Sequence, residues 1–149
     1  MVQTPNCRKR ILLADDDEDD CILFEDALKE ICPEQSNLTT TNDGFRLMQL
    51  LKNPAPHSPD IIFLDLNMPV KNGFQCLTEI RKNKDLKTIP VVIFSTTAQK
   101  EAIDKVYEGG ANLYIRKPGS FSKLKNVIEK VLSMDWKGGL QTPKENFVL

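Results

Sequence analysis

Apolar residues along this chain fall into two alternating rhythms. Continuous runs without polar alternation, "RILLA" at 10–14, "DIIFLDL" at 60–66 and "IPVVIFS" at 89–95, read as strands buried on both faces. "NLTTT" at 37–41 is short and β-branched, and "NLYIRK" at 112–117 supplies a fifth strand. Between these runs the apolar positions recur at helical spacing. "EDDCILFEDALKEIC" at 18–32 places Phe24, Ala27, Leu28 and Ile31 on one face before Pro33 stops it. "DGFRLMQLLKN" at 43–53 ends before Pro54, and "GFQCLTEIRKN" at 73–83 follows the third strand. "AQKEAIDKVYEGG" at 98–110 closes on glycines, and "SFSKLKNVIEKVLSM" at 120–134 opens on Ser120 as an N-cap. Strand then helix, five times over, predicts an α/β fold: a five-stranded parallel sheet, doubly wound, with helices on both faces.

Length and composition narrow the picture. A chain of 149 residues suits one domain, expected over 8–134. Residues 135–149, with Gly138, Gly139 and Pro143, read as a C-terminal tail with no output domain. Twenty basic side chains against twenty-one acidic ones give no sign of nucleic-acid or anionic-membrane affinity. No apolar run is long enough to span a bilayer, and "MVQTPNCRKR" is not followed by a signal-peptide pattern. The cysteines, Cys7, Cys21, Cys32 and Cys76, form no C-x-x-C pair, and the single histidine, His57, stands in the proline-rich loop 53–59. That argues against zinc and for a cytoplasmic protein with reduced thiols.

In an open parallel sheet, ligands bind beyond the carboxyl ends of the strands. The first strand ends in Asp15-Asp16, the opening of six consecutive acids that run to Asp20. The third ends in Asp65, the fourth in Ser95-Thr96-Thr97 and the fifth in Lys117-Pro118. Carboxylates, a hydroxyl and an ammonium are therefore expected along one rim. Asp17 to Asp20 read as charge suited to a helix start. Neither G-x-x-x-x-G-K-[ST] nor G-x-G-x-x-G is present.

"ILLADDDEDD", "IIFLDLNMPVKNGF", "VVIFSTTA" and "YIRKP" lie in the order and spacing of one family. Over roughly residues 10–134 the chain resembles the receiver domain of two-component response regulators. The resemblance implies a flavodoxin-like (βα)5 fold and a phosphorylation-dependent signalling protein rather than an enzyme. A sensor histidine kinase or histidine phosphotransfer protein would donate a phosphoryl group to an aspartate. Asp65 stands at the acceptor position, Asp15 and Asp16 at the acidic pair, and Asn67 two residues past the acceptor. Ser95 stands at the switch hydroxyl, Tyr114 at the switch aromatic and Lys117 at the ammonium. A cis Lys117–Pro118 peptide is expected, aiming the lysine inward.

The chemistry fits these residue types. A carboxylate attacking a phosphoryl group brings negative charge toward negative charge, and Mg²⁺ offsets this through oxygen ligands. Asp16 and Asp65 are the expected direct ligands, with the Asn67 carbonyl as a third and Asp15 acting through a metal-bound water. Lys117 and Ser95 would meet the phosphoryl oxygens. Recruitment of Ser95 would draw Tyr114 inward and alter the 98–134 face, expected to carry the partner or homodimer surface with Arg116 beside it. Two departures from the family stand out: Thr96 is bulkier than the usual alanine or glycine and would narrow access to the acyl phosphate, and Arg116 replaces an apolar residue.

An enzymatic alternative is a Mg²⁺-dependent phosphatase of the haloacid dehalogenase type, which resembles D-x-D. Here the segment is Asp65-Leu66-Asn67, and asparagine cannot serve as the general acid. A receiver attached to a DNA-binding half is disfavoured by the short, non-basic segment after the last helix.

Overall fold

The computed structural model describes residues 5–33, 37–53, 58–136 and 141–149, so His57 and most of the proline-rich loop lie outside the described residues. Five strands alternate with five helices: β1 (Arg10–Ala14), α1 (Glu18–Ile31), β2 (Asn37–Thr41), α2 (Gly44–Lys52), β3 (Ile61–Leu64), α3 (Gly73–Lys82), β4 (Val91–Ser95), α4 (Lys100–Glu108), β5 (Leu113–Arg116) and α5 (Phe121–Ser133). The strands are all parallel, in the order β2-β1-β3-β4-β5. The five-stranded, doubly wound sheet expected from the apolar pattern is the sheet observed.

Each central strand sends alternate residues to opposite faces. Leu12, Ile62, Leu64 and Ile93 join Leu47, Leu77 and Val106 of α2, α3 and α4. Ile11, Leu13, Phe63 and Phe94 join Phe24 and Leu28 of α1 and Ile128 of α5. In this second half Phe24 and Phe63 meet edge to face, with ring centroids 4.9 Å apart. The helix starts follow local chemistry: the side chains of Asp17, Asp43, Asn72 and Ser120 each accept a backbone N–H of the first turn, and Asn72 with Gln75 forms a full capping box.

At the amino ends of β4 and β5, the Arg81 side chain of α3 donates to the carbonyls of Gly110, Lys87 and Ile89 and to Asn112 Oδ1. Asn112 Oδ1 also accepts from the Val91 amide. One guanidinium thus ties three segments together at the rim opposite the strand ends that carry the acids.

Two expectations need correction. Cys7 and Cys32 form a disulfide, their Cα atoms 5.6 Å apart, leaving Cys21 and Cys76 as free thiols. The fold brings them together because Cys7 enters β1 at the end where α1 finishes on its C-cap, Cys32. The C-terminal segment, read as a tail, returns to the sheet over residues 141–149. Tyr114 N–H donates to the Phe147 carbonyl, and Leu149 N–H donates to the Tyr114 carbonyl, a parallel bridge on the outer edge of β5. Phe147 is 1% exposed, packed edge to face on Tyr107, while Lys144 pairs with Asp104 at 3.1 Å. No helix among the described residues is long and apolar enough to cross a membrane.

Candidate functional site

The carboxyl ends of β1, β3, β4 and β5 deliver Asp15, Asp65, Ser95 and Lys117 to one rim, with Asp16 beside them. Asp15 and Asp65 are buried, Asp16 is exposed, and one oxygen from each of the three carboxylates lies within 4.8 Å of the others. The Asp15 carboxylate accepts from the Asp17 amide at 2.9 Å. Asp65 accepts from the Asn67 amide at 3.5 Å. The segment after Asp65 is held tightly: Gly73 N–H donates to the Leu66 carbonyl, and a Cβ at residue 73 would stand 2.2 Å from the Asp65 carbonyl oxygen. Only glycine allows the start of α3 to close this near to the Asp65 backbone.

Lys117 bridges the carboxylates. Its Nζ lies 2.8 Å from Asp15, 2.8 Å from Asp20 and 3.6 Å from Asp65. The Phe94 ring lies beneath it, 5.6 Å from centroid to Nζ. Burial alone would lower the lysine pKa, but the close carboxylates of Asp15 and Asp20 outweigh it and hold the ammonium charged above its ordinary range. Asp65 is pushed up to about 7, first by burial and then by the charge of Asp15, with Lys117 opposing. Asp15 is raised as well, chiefly by burial, against the pull of Lys117. Crowded carboxylates that hold protons this firmly are the donor set a hard divalent cation relieves.

Ser95 is fully buried at the end of β4, its Oγ accepting from the Thr97 amide at 3.3 Å, while Thr96 is exposed. Asn67 is exposed too, as is Arg116 at the end of β5. The sequence residues Asp15, Asp16, Asp65, Asn67, Ser95 and Lys117 are thus all found along one rim.

Over residues 11–129 the chain matches the family profile "Response regulator receiver domain". It belongs to that family. The receiver is 32% identical over 137 residues to response regulator Rcp1 of Synechocystis sp., across 89% of this chain and 92% of Rcp1. Among solved structures, the phosphorylated cyanobacterial phytochrome response regulator RcpA matches with a TM-score of 0.77 at 33% identity, over 83% of this chain and 91% of RcpA. The Mn²⁺-bound form of Rcp1 matches with a TM-score of 0.75 at 32% identity, over 91% of this chain and 99% of that one.

Three details of the receiver's site differ from expectation. The Lys117–Pro118 peptide is not cis, and Lys117 reaches the carboxylates without it. Tyr114 is already turned inward: it is fully buried, and its hydroxyl donates to the Thr97 carbonyl at 2.8 Å. The ring fits there because Phe147 of the returning C-terminal segment packs beside it, centroids 6.3 Å apart. Asp20, read only as helix-start charge, grips the same ammonium as Asp15. Its position three residues past the N-cap Asp17 was the available signal, since that spacing puts it in the first turn of α1, next to the strand ends.

Proposed function

We propose that this receiver accepts a phosphoryl group on Asp65 from a histidine kinase or histidine phosphotransfer protein and signals through protein contact. The observation that carries the reading is the convergence of Lys117 with the clustered oxygens of Asp15, Asp16 and Asp65 at the strand ends. An Asp65 oxygen forms a bond to phosphorus as the donor's P–N bond breaks and the imidazole departs. Little covalent work falls to the protein beyond placing this carboxylate and balancing charge. Asp16 and Asp65, with Asn67 and Asp15 in support, would hold Mg²⁺, which supplies positive charge to the transferring oxygens. Lys117 neutralises the same oxygens from the other side. Ser95, moving to donate its hydroxyl to them, would draw its Oγ away from the Thr97 amide. The Thr97 carbonyl is the acceptor of the Tyr114 hydroxyl, so this movement reaches α4 and β5 without a large swing of the ring.

Ile22 and Leu23, exposed on α1 just after Asp20, suit docking of the phosphodonor. The 98–134 face, with Arg116, remains the proposed surface for an effector or a second copy.

The test is labelling with acetyl phosphate. With Mg²⁺ the chain should gain one hydroxylamine-labile phosphoryl group, and none with a chelator; labelling indifferent to metal overturns the reading. Asp16→Ala should weaken Mg²⁺ binding by about tenfold or more, followed by amide NMR shifts at residues 14–17 and 65–67. Unaltered affinity removes Asp16 from the ligand set. Thr96→Ala, by opening the acyl phosphate to water, should shorten the phosphoryl lifetime; an equal or longer lifetime assigns Thr96 no shielding role.

A further inference from the structure

Lys117 carries one more counter-ion than phosphoryl chemistry needs. Asp20 Oδ2 in the first turn of α1 accepts from Lys117 Nζ at 2.8 Å, matching the 2.8 Å contact to Asp15, whereas Asp65 stands off at 3.6 Å. The ammonium donates a hydrogen bond to Asp20, while Asp15 Oδ2 meets it as an ion pair with no hydrogen bond of its own. The cation therefore rests on the α1 side of the site, back from the acceptor.

We propose that Asp20 is a positioning residue for the reaction at Asp65: a competing counter-ion that holds Lys117 back and so weakens uptake of the phosphoryl group. The inference rests on Asp65 being the acceptor. A phosphoryl group there adds negative charge beside the carboxylates, and the ammonium shifts toward the new oxygens. That displacement lengthens its contact to one of the two partners now at 2.8 Å. The Asp15 side chain is wholly buried, and its Oδ2 has no hydrogen bond to fall back on, so parting it from the ammonium is costly. The Asp20 side chain is 29% exposed and has water to turn to. Asp20 is therefore the partner that yields, and its pull on Lys117 opposes every phosphoryl-bound state.

Beryllofluoride binding at saturating Mg²⁺ tests this with Asp20→Asn, which keeps the shape and an acceptor oxygen but removes the charge, and with Asp20→Glu, which keeps the charge. The Asn variant should bind beryllofluoride about three- to tenfold tighter than wild type, a range that allows for partial solvent screening. The Glu variant should stay near wild type. The ¹⁵N resonance of the Lys117 ammonium should move on beryllofluoride addition in wild type and lie already displaced in free Asp20→Asn. Equal or weaker binding by the Asn variant overturns the inference while leaving the acceptor reading intact. A wild-type chain that binds no beryllofluoride overturns both.

Discussion

An Asp65→Asn chain should lose the phosphoryl adduct completely and, above neutral pH without added Mg²⁺, become more stable than wild type. The loss follows from chemistry, since an amide oxygen is a poor nucleophile and, among the described residues, no other buried carboxylate ends a central strand beside Lys117 except Asp15, which is already paired with it. The gain follows from linkage. Burial, and after it the charge of Asp15, raises Asp65 to about 7, well above its value in the unfolded chain. Between these two values the folded state holds a proton that the unfolded state has lost, so the stabilisation is whole below about pH 4 and declines as pH rises through about 7. Asparagine never ionises and shows no such decline. At pH 8 the variant should exceed wild type by about 2–4 kcal/mol in urea unfolding, with the difference shrinking toward pH 4. Parallel pH profiles for the two chains would overturn the electrostatic account, and a retained hydroxylamine-labile label would overturn the acceptor assignment.

Phe147→Ala should release the C-terminal segment from the edge of β5 while leaving the acidic rim able to take up a phosphoryl group. Phe147 is 1% exposed, wedged between Tyr107 and Tyr114, and its carbonyl receives the Tyr114 amide. Deleting a buried phenyl ring costs about 3–5 kcal/mol where the surroundings cannot collapse. The segment joins the sheet through few hydrogen bonds, so local opening is the cheaper response. Hydrogen exchange at the Tyr114 and Leu149 amides should accelerate at least tenfold, the factor that about 1.4 kcal/mol corresponds to, while the amides of β1 and β3 keep their protection. Unchanged exchange at Tyr114 would show that the ring is not what anchors the segment.

Much of the fold was legible because the buried parallel strands have no polar face to disguise them. Ile61–Leu64 and Val91–Ser95 are buried at every position, and Asn72 and Ser120 mark helix starts by their own hydrogen bonds. The strand-end residues could be found together because the carboxyl ends of parallel strands share one rim. The C-terminal segment was not legible. It is held by one aromatic ring, two backbone bonds and the side chains of Gln141 and Lys144, with no periodic pattern to announce it. The Cys7–Cys32 bond was equally hidden, since only the run of α1 back past β1 makes residues 25 apart neighbours. Asp20 lay concealed among like charges: six acids in a row do not say which one meets a lysine 97 residues away.

The Arg81 bonds give the sheet a fulcrum. Beneath β4 and β5 one guanidinium locks four acceptors, and a shift there would break several hydrogen bonds at once. At the opposite rim the Ser95 and Tyr114 hydroxyls bond the Thr97 backbone. If Asp65 is phosphorylated as proposed, work done at that rim would be resisted below and accepted above, as a tilt of the upper ends of β4, α4 and β5 rather than a displacement of the sheet.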